Sequence, residues 1–382
     1  MRELITKSFL EIFAQEPIHA FAPGRINLIG EHTDYQEGFV FPAAVAQGIY
    51  FGIQKNNSNS ARIHSFDFNE DFRFDVKSFS PRKGHWGNYI MGMVSQLNQA
   101  GYEIEGFDMV FGGNIPVGSG LSSSAALSVG VGTSISGLFD LDIPKKSLAL
   151  YAQKSENLFE GLNCGIMDPY ASAFGKADHA LLLDCRSNSH EEVPISLGQY
   201  SLLLVNTNVK HKLADSAYNK RRSACEESVD ILSSTFTGIK TLRDIAEADL
   251  PKVKSILPKE LFSKAKHVIL EDVRVHQAGE SLRSGELGKF GELMKASHKS
   301  LSQDYEVSCE ELDFLAKESW KKKYVLGSRM MGGGFGGCTI NLLENNHILE
   351  FKKSIATSYL AAFNIEPDFI EVKPSDGARL VK

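Results

Sequence analysis

The chain has 382 residues, of which 42% are hydrophobic and 23% charged, with a net charge of −6. The length allows two domains with cores of their own, the composition is that of a globular protein, and the acidic balance gives no reason to propose a nucleic-acid surface. No residue between Asp108 and Asp140 is charged, but that stretch holds too many Gly, Ser and Pro residues to span a membrane.

In chain order, residues 4 to 15 have the spacing of an amphipathic helix. Arg2, Glu3, Lys7 and Glu11 deny it the continuous apolar run of a secretion signal. Pro23-Gly24 and the polar run Glu31 to Gly38 interrupt two apolar segments, Ile26 to Ile29 and Phe39 to Val45. Alternation of Ile63, Phe66, Phe68, Phe72, Phe74 and Val76 predicts antiparallel strands over 61–76. Trp86 to Ala100 has helical spacing, and Phe107 to Gly112 reads as a strand. Ser147 to Gly161 predicts a helix whose stripe is Leu148, Tyr151, Ala152, Leu158 and Phe159. Two strands are expected within 180–206 and mostly helix from Ser216 to Lys299. A Gly-rich loop (Gly332 to Gly337), a strand (Cys338 to Leu343), a helix and a strand near Phe369 to Val372 close the chain. Strands and helices mix without βαβ alternation, so the expected class is α+β, with a boundary near residue 198 separating 1–198 from 199–382. Cys164, Cys185, Cys225, Cys309 and Cys338 are odd in number and form no C-x-x-C pair. That points away from disulfides and zinc and toward a reducing, cytoplasmic location.

Four segments carry chemistry. Val117 to Leu127 is a Gly-rich loop running into Ser122, Ser123 and Ser124 and then into small helix-compatible residues. Gly118 and Gly120 permit positive φ and close backbone approach, and a helix start following them favours an anion. A Walker lysine is absent, and a flexible turn is the competing reading. Arg25 to Tyr35 packs a guanidinium, two carboxylates, an imidazole and a hydroxyl into one short span, which suits a polyol. Glu156, mid-helix, reads either as a solvent-facing glutamate or as a magnesium ligand beside a loop hydroxyl. Asp168-Pro169 reads as an N-cap followed by proline at the first helical position. The proline would hold Asp168 extended. The same carboxylate suits a base, kept ionised by Arg25 if the fold brings them together.

Three blocks in this order resemble the GHMP small-molecule kinase superfamily and, within it, the galactokinase family: Gly24 to Tyr35, Pro116 to Ala126, and Gly327 to Thr339. Weaker matches are Trp86-Gly-Asn-Tyr89, Ala217 to Arg222, Ser297 to Leu301 and Asp304 to Ser308. The resemblance spans nearly the whole chain. It implies a two-domain α+β fold with the active site in the interdomain cleft, and ATP- and Mg2+-dependent phosphorylation of the anomeric hydroxyl of galactose. It further implies Asp168 as base with Arg25 assisting, and Glu31, His32, Thr33, Asp34, Gly165 and Tyr218 on the sugar. Gly118, Ser119, Gly120, Leu121, Ser122, Ser123 and Ser124 would hold the nucleotide, with Trp86 near the adenine. Ser124 and Glu156 would hold magnesium. A monomer with no nucleic-acid or membrane partner is expected.

The sequence departs from the family pattern at Pro169, where glutamine is usual, at Met331, where threonine is common, and at Ser302-Gln303, which replace Arg-Asp. None removes a residue with a named role. The alternatives are a kinase for N-acetylgalactosamine or another sugar, and a non-catalytic galactose sensor, against which the complete Ser122 to Ala126 segment argues.

Overall fold

The computed structural model describes every residue except 117, 162, 211–213 and 382, and the side chains of 210 and 214–216 also lie outside the description. Val117, the first residue of the loop motif, is thus outside the described residues.

The first part of the chain runs α1 (Arg2–Phe13), β1 (Ile18–Asn27), β2 (Phe39–Val40), β3 (Pro42–Lys55), β4 (Ser60–Ser65), β5 (Glu70–Asp75), α2 (Gly87–Gln99) and β6 (Phe107–Gly113). Then come α3 (Ser123–Leu138), α4 (Lys145–Phe159), α5 (Met167–Phe174), β7 (His179–Asp184) and β8 (Ser189–Pro194). Next are β9 (Tyr200–Lys210) and helices α6 (Ala214–Leu232), α7 (Leu250–Ile256), α8 (Lys259–Arg283), α9 (Leu287–Ser300) and α10 (Glu310–Trp320). The chain closes with β10 (Val325–Met330), β11 (Gly336–Glu344), α11 (Ile348–Phe363), β12 (Asp368–Glu371) and β13 (Arg379–Val381).

Mixed helices and sheets build an α+β fold. One sheet has the order β13-β1-β3-β6-β4-β5, in which β4 and β6 pair in parallel and the other neighbours antiparallel. Helices α2, α3 and α4 cover it through Phe51, Met93, Val131 and Leu148, all within one apolar core. A second sheet, β10-β11-β9-β12, and a ribbon, β2-β7-β8, complete the frame. The alternation over 61–76 corresponds to the antiparallel pair β4–β5, with Phe72 and Phe74 buried and Phe68 exposed at the turn.

Three expectations are corrected. Residues 180–206 hold parts of three strands rather than two, because β8 is short and has a single buried residue, Val193. The strands β10 and β13 were not expected; β13 is three residues long and returns from the chain's end to pair with β1. Third, α4 buries Leu148, Ala149, Ala152, Ser155 and Glu156, whereas Leu158 is 64% exposed. The buried face follows α2 and α3 rather than the most apolar stripe.

Candidate active site

β1 delivers Arg25 to a cleft of about 420 Å³, a volume suited to small ligands. Arg25 is 4% exposed, and its Nε and Nη2 donate to Oδ1 and Oδ2 of Asp168, both at 2.8 Å. Such a two-pronged pair fixes the carboxylate's plane as well as its charge. Nη1 of Arg25 donates to the Gly120 carbonyl, and the Ser122 hydroxyl donates to Oδ2 of Asp168. Helix α5 starts at Met167 with Ile166 as its cap residue, so Asp168 is its second residue and Pro169 its third. Asp168 is therefore neither an N-cap nor extended. A first-turn N–H has no acceptor within its helix, so Pro169 removes no helical hydrogen bond.

The glycine loop forms one side of the cleft. Gly118 and Gly120 have φ of 74° and 67°, and no atom lies within 4 Å of where a Gly118 Cβ would stand. The loop backbone is open to a ligand at that point. Leu121 is buried as an anchor, and the buried Ser119 Oγ has no hydrogen-bond partner among the described residues. Ser122 is the cap residue of α3 but makes no side-chain cap bond. Ser123 and Ser124 also line the cleft. The carboxyl of Glu156 is pushed up to about 7, first by burial and then by the nearby Asp168 charge, while the neighbouring Ser124 side chain acts to lower it. The Cys164 thiol is 3.5 Å from Oε2 of Glu156. Trp86 does not line the cleft; its indole packs edge-on to Phe72 and Phe111 and donates to Glu70 at 2.8 Å.

The opposite wall comes from the Gly30–Tyr35 segment, Gly165 and α6. Asp34 lies so close to Gly165 that a Cβ there would collide with its carboxylate. Burial, then Asp168, pushes the Asp34 carboxyl up to about 6. Tyr218 of α6 lines the cleft, with its ring 5.3 Å from that of His32. Glu31 also lines it, but both its oxygens are engaged: Oε1 accepts from Gly332 N–H at 2.8 Å, and Oε2 from Asn27 at 2.8 Å and from Arg329. His32 sits at φ 64°, and its Nε2 is 3.1 Å from the Gly333 carbonyl. Thr33 turns inward, donating to Gly30 and Phe39 carbonyls at 3.0 and 2.7 Å, and does not line the cleft. Arg25, Asp168, Asp34, Gly165, Tyr218, Glu156 and the loop are thus brought together, and Thr33 and Trp86 are not.

Sequence reasoning missed two supports of this wall. Arg329 is fully buried and pairs with Glu31. Its signal was an arginine inside the Gly-rich 327–339 block, where the chain is otherwise uncharged. Tyr35 and Tyr305 join phenol to phenol at 2.6 Å behind His32; nothing in the sequence pairs them.

Both halves of a GHMP kinase are represented: residues 88–176 match the GHMP kinases N terminal domain, and residues 280–359 match the GHMP kinases C terminal family. Residues 7–55 match the Galactokinase galactose-binding signature. The chain is 40% identical to a galactokinase of Fusobacterium nucleatum, with all of both chains covered. It matches the crystal structure of Lactococcus lactis galactokinase complexed with galactose at a TM-score of 0.95 and 36% identity, covering 98% of each chain. Methanococcus jannaschii mevalonate kinase shares the fold at a TM-score of 0.68 and 16% identity, covering 94% of this chain and 99% of its own. The chain belongs to the galactokinase family of the GHMP kinases.

Proposed function

We propose that the chain transfers the γ-phosphoryl group of ATP to the anomeric hydroxyl of galactose, giving galactose 1-phosphate. The observation that carries this reading is the Arg25–Asp168 pair, which stands between the open glycine loop on one side and Asp34, Gly165 and Tyr218 on the other. Full-length similarity to galactokinases supports galactose as the acceptor.

Phosphoryl transfer through a loose transition state demands positioning and charge neutralisation more than covalent chemistry. Asp168 accepts the proton of the sugar hydroxyl, and Arg25 holds that carboxylate in plane and faces the developing charge. The backbone N–H groups of Gly118 to Ser124 and the start of α3 hold the phosphates; the uncapped start of α3 and the orphaned Ser119 hydroxyl fit an anion there. Ser124 and Glu156 fit magnesium, because both line the cleft, a buried carboxyl gains from a cation, and magnesium asks for one or two protein oxygens. Magnesium, when bound, neutralises charge on the phosphate oxygens. Asp34, Tyr218 and the Gly165 backbone orient the sugar, while Glu31 and His32 shape the wall behind them. A boundary near residue 198 separates the two domains in this reading. Five free cysteines support a reducing, cytoplasmic setting, no helix among the described residues is long and apolar enough to cross a membrane, and we take the working unit to be a monomer.

The test is a panel of galactose, N-acetylgalactosamine, glucose and arabinose with ATP and magnesium, with an EDTA control. Galactose is expected to be phosphorylated fastest, and EDTA to stop turnover. Negligible galactose turnover beside rapid turnover of another sugar overturns the reading.

A further inference from the structure

The loop that faces the phosphates contains three residues with left-handed backbone: Gly118 at φ 74°, Gly120 at φ 67° and Ser122 at φ 56°. Two are glycine, the residue that adopts this conformation without steric cost. The third is serine, and a Cβ in that conformation costs about 1–2 kcal/mol. Glycine would serve the turn better, so the hydroxyl must have a use.

Capping is not that use. Ser122 occupies the cap position of α3, where a serine ordinarily accepts a bond from the N–H groups of the first turn, yet its side chain makes no such bond. The hydroxyl instead donates to Oδ2 of Asp168, the oxygen that also accepts from Nη2 of Arg25. The backbone aims it there: Arg25 N–H donates to the Leu121 carbonyl at 2.9 Å, and Arg25 Nη1 donates to the Gly120 carbonyl. The loop is thereby pinned to β1 one residue before Ser122. Arg25 holds both oxygens of Asp168 and Ser122 adds a second donor to Oδ2, so that rotation of the carboxylate breaks charge-assisted bonds to both residues.

We propose that Ser122 positions Asp168 with its side chain, which is not itself a ligand of the nucleotide. Its left-handed backbone turns the hydroxyl away from the first turn of α3, which both orients the carboxylate and leaves the helix N–H groups free for an anion. This assignment rests on Asp168 being the base of the proposed reaction. A residue that only bound phosphate would affect the nucleotide's KM; one that orients the base affects the chemical step.

Ser122→Gly tests this cleanly, because glycine keeps the backbone and deletes the hydroxyl. The expected result is a fall in kcat of about tenfold to a hundredfold, with the KM values for ATP and galactose within about twofold of wild type. Ser122→Ala should show the same kcat loss with a lower melting temperature than Ser122→Gly, since it keeps the strained Cβ. It also serves as the second variant should Ser122→Gly fold poorly. A rise in the KM for ATP with kcat unchanged, or no kinetic change in either variant, overturns the assignment. Wild type is run on the same sugar panel, and the variants on whichever sugar it turns over. Failure of galactose in wild type therefore overturns the sugar reading alone, while kcat on the accepted sugar still decides Ser122.

Discussion

The two sides of the Arg25–Asp168 pair are built on opposite plans. On the glycine-loop side, groups that a ligand can use stand open: an uncapped helix start, an orphaned Ser119 hydroxyl and a buried Glu156 carboxyl. On the sugar side, Glu31 has both oxygens engaged and His32 both ring nitrogens. In the proposed reaction, ligands would complete the first side and only fill the second. On that reading the loop side gives up stability in the free protein for binding capacity, while the wall built on Glu31 and His32 is pre-organised.

The largest effects should come from breaking the pair where the two sides meet. Asp168→Asn is expected to lower kcat by about 10²–10⁴-fold, the usual contribution of a positioned base. Galactose affinity measured by calorimetry should change little, because the wall is held by Glu31, His32 and Arg329. Near-wild-type turnover would remove Asp168 from the chemistry.

The sugar wall should break by stability rather than by rate. Glu31→Gln leaves the fully buried Arg329 guanidinium without its countercharge, and such a loss costs about 3–5 kcal/mol. Urea unfolding measures it; a loss under about 1 kcal/mol would mean the pair behaves as a surface one.

What the sequence disclosed follows the same division. The phosphate side was legible because its devices are local: Gly118, Gly120 and the serines announce a turn and a helix start by residue type alone. Asp168 and Arg25 were legible as residue types, but their contact spans 143 positions, so only the family resemblance, and not their spacing, paired them. The sugar wall is assembled from distant parts, Glu31 with Arg329 and Tyr35 with Tyr305, so spacing carried no trace of it. Thr33 was expected on the sugar only through the resemblance, whereas its hydroxyl is directed at the carbonyls of its own turn. On α4 the apolar stripe pointed to Leu158, yet tertiary packing buried Glu156. The burial is a cost that a purely structural helix would not carry.

That cost can be measured. A carboxyl whose folded value is raised from 4.5 to about 7 binds its proton more readily in the folded state, so its contribution to stability falls as pH rises through that window. Glu156→Gln removes the burden. In EDTA the variant is expected to be more stable than wild type at pH 8, by on the order of 3 kcal/mol, with the advantage gone by about pH 4.5. Equal stability at pH 8 would show that the carboxyl is not penalised. His32 and His267, lowered by burial to about 3 and about 4, act in the opposite sense. Their unfolded forms bind protons first, so both proteins lose stability from these groups as pH falls below 6.5, and only the difference between the variants isolates Glu156.

The smallest expected effect sharpens the picture of the wall. The Gly333 carbonyl can only accept, so Nε2 of His32 donates to it at 3.1 Å. Burial keeps the ring neutral, so Nδ1 accepts from the Tyr35 hydroxyl at 2.8 Å. Tyr35 must then accept from Tyr305 at 2.6 Å; the Tyr305 proton has an alternative at the Arg221 carbonyl, but at 3.5 Å it is the weaker one. Tyr305 in turn faces the Cys225 sulfur at 3.2 Å. One carbonyl therefore sets the direction of every hydrogen bond in the chain. Tyr35→Phe leaves Nδ1 unpartnered and should cost about 1–3 kcal/mol, and Tyr305→Phe about 1 kcal/mol. Because both cut the same chain, the double variant should lose little more than Tyr35→Phe alone, a coupling of about 1 kcal/mol by thermal or urea unfolding. Strict additivity would mean that the two phenols are separate packing groups and that the wall is held by Glu31 and Arg329 alone.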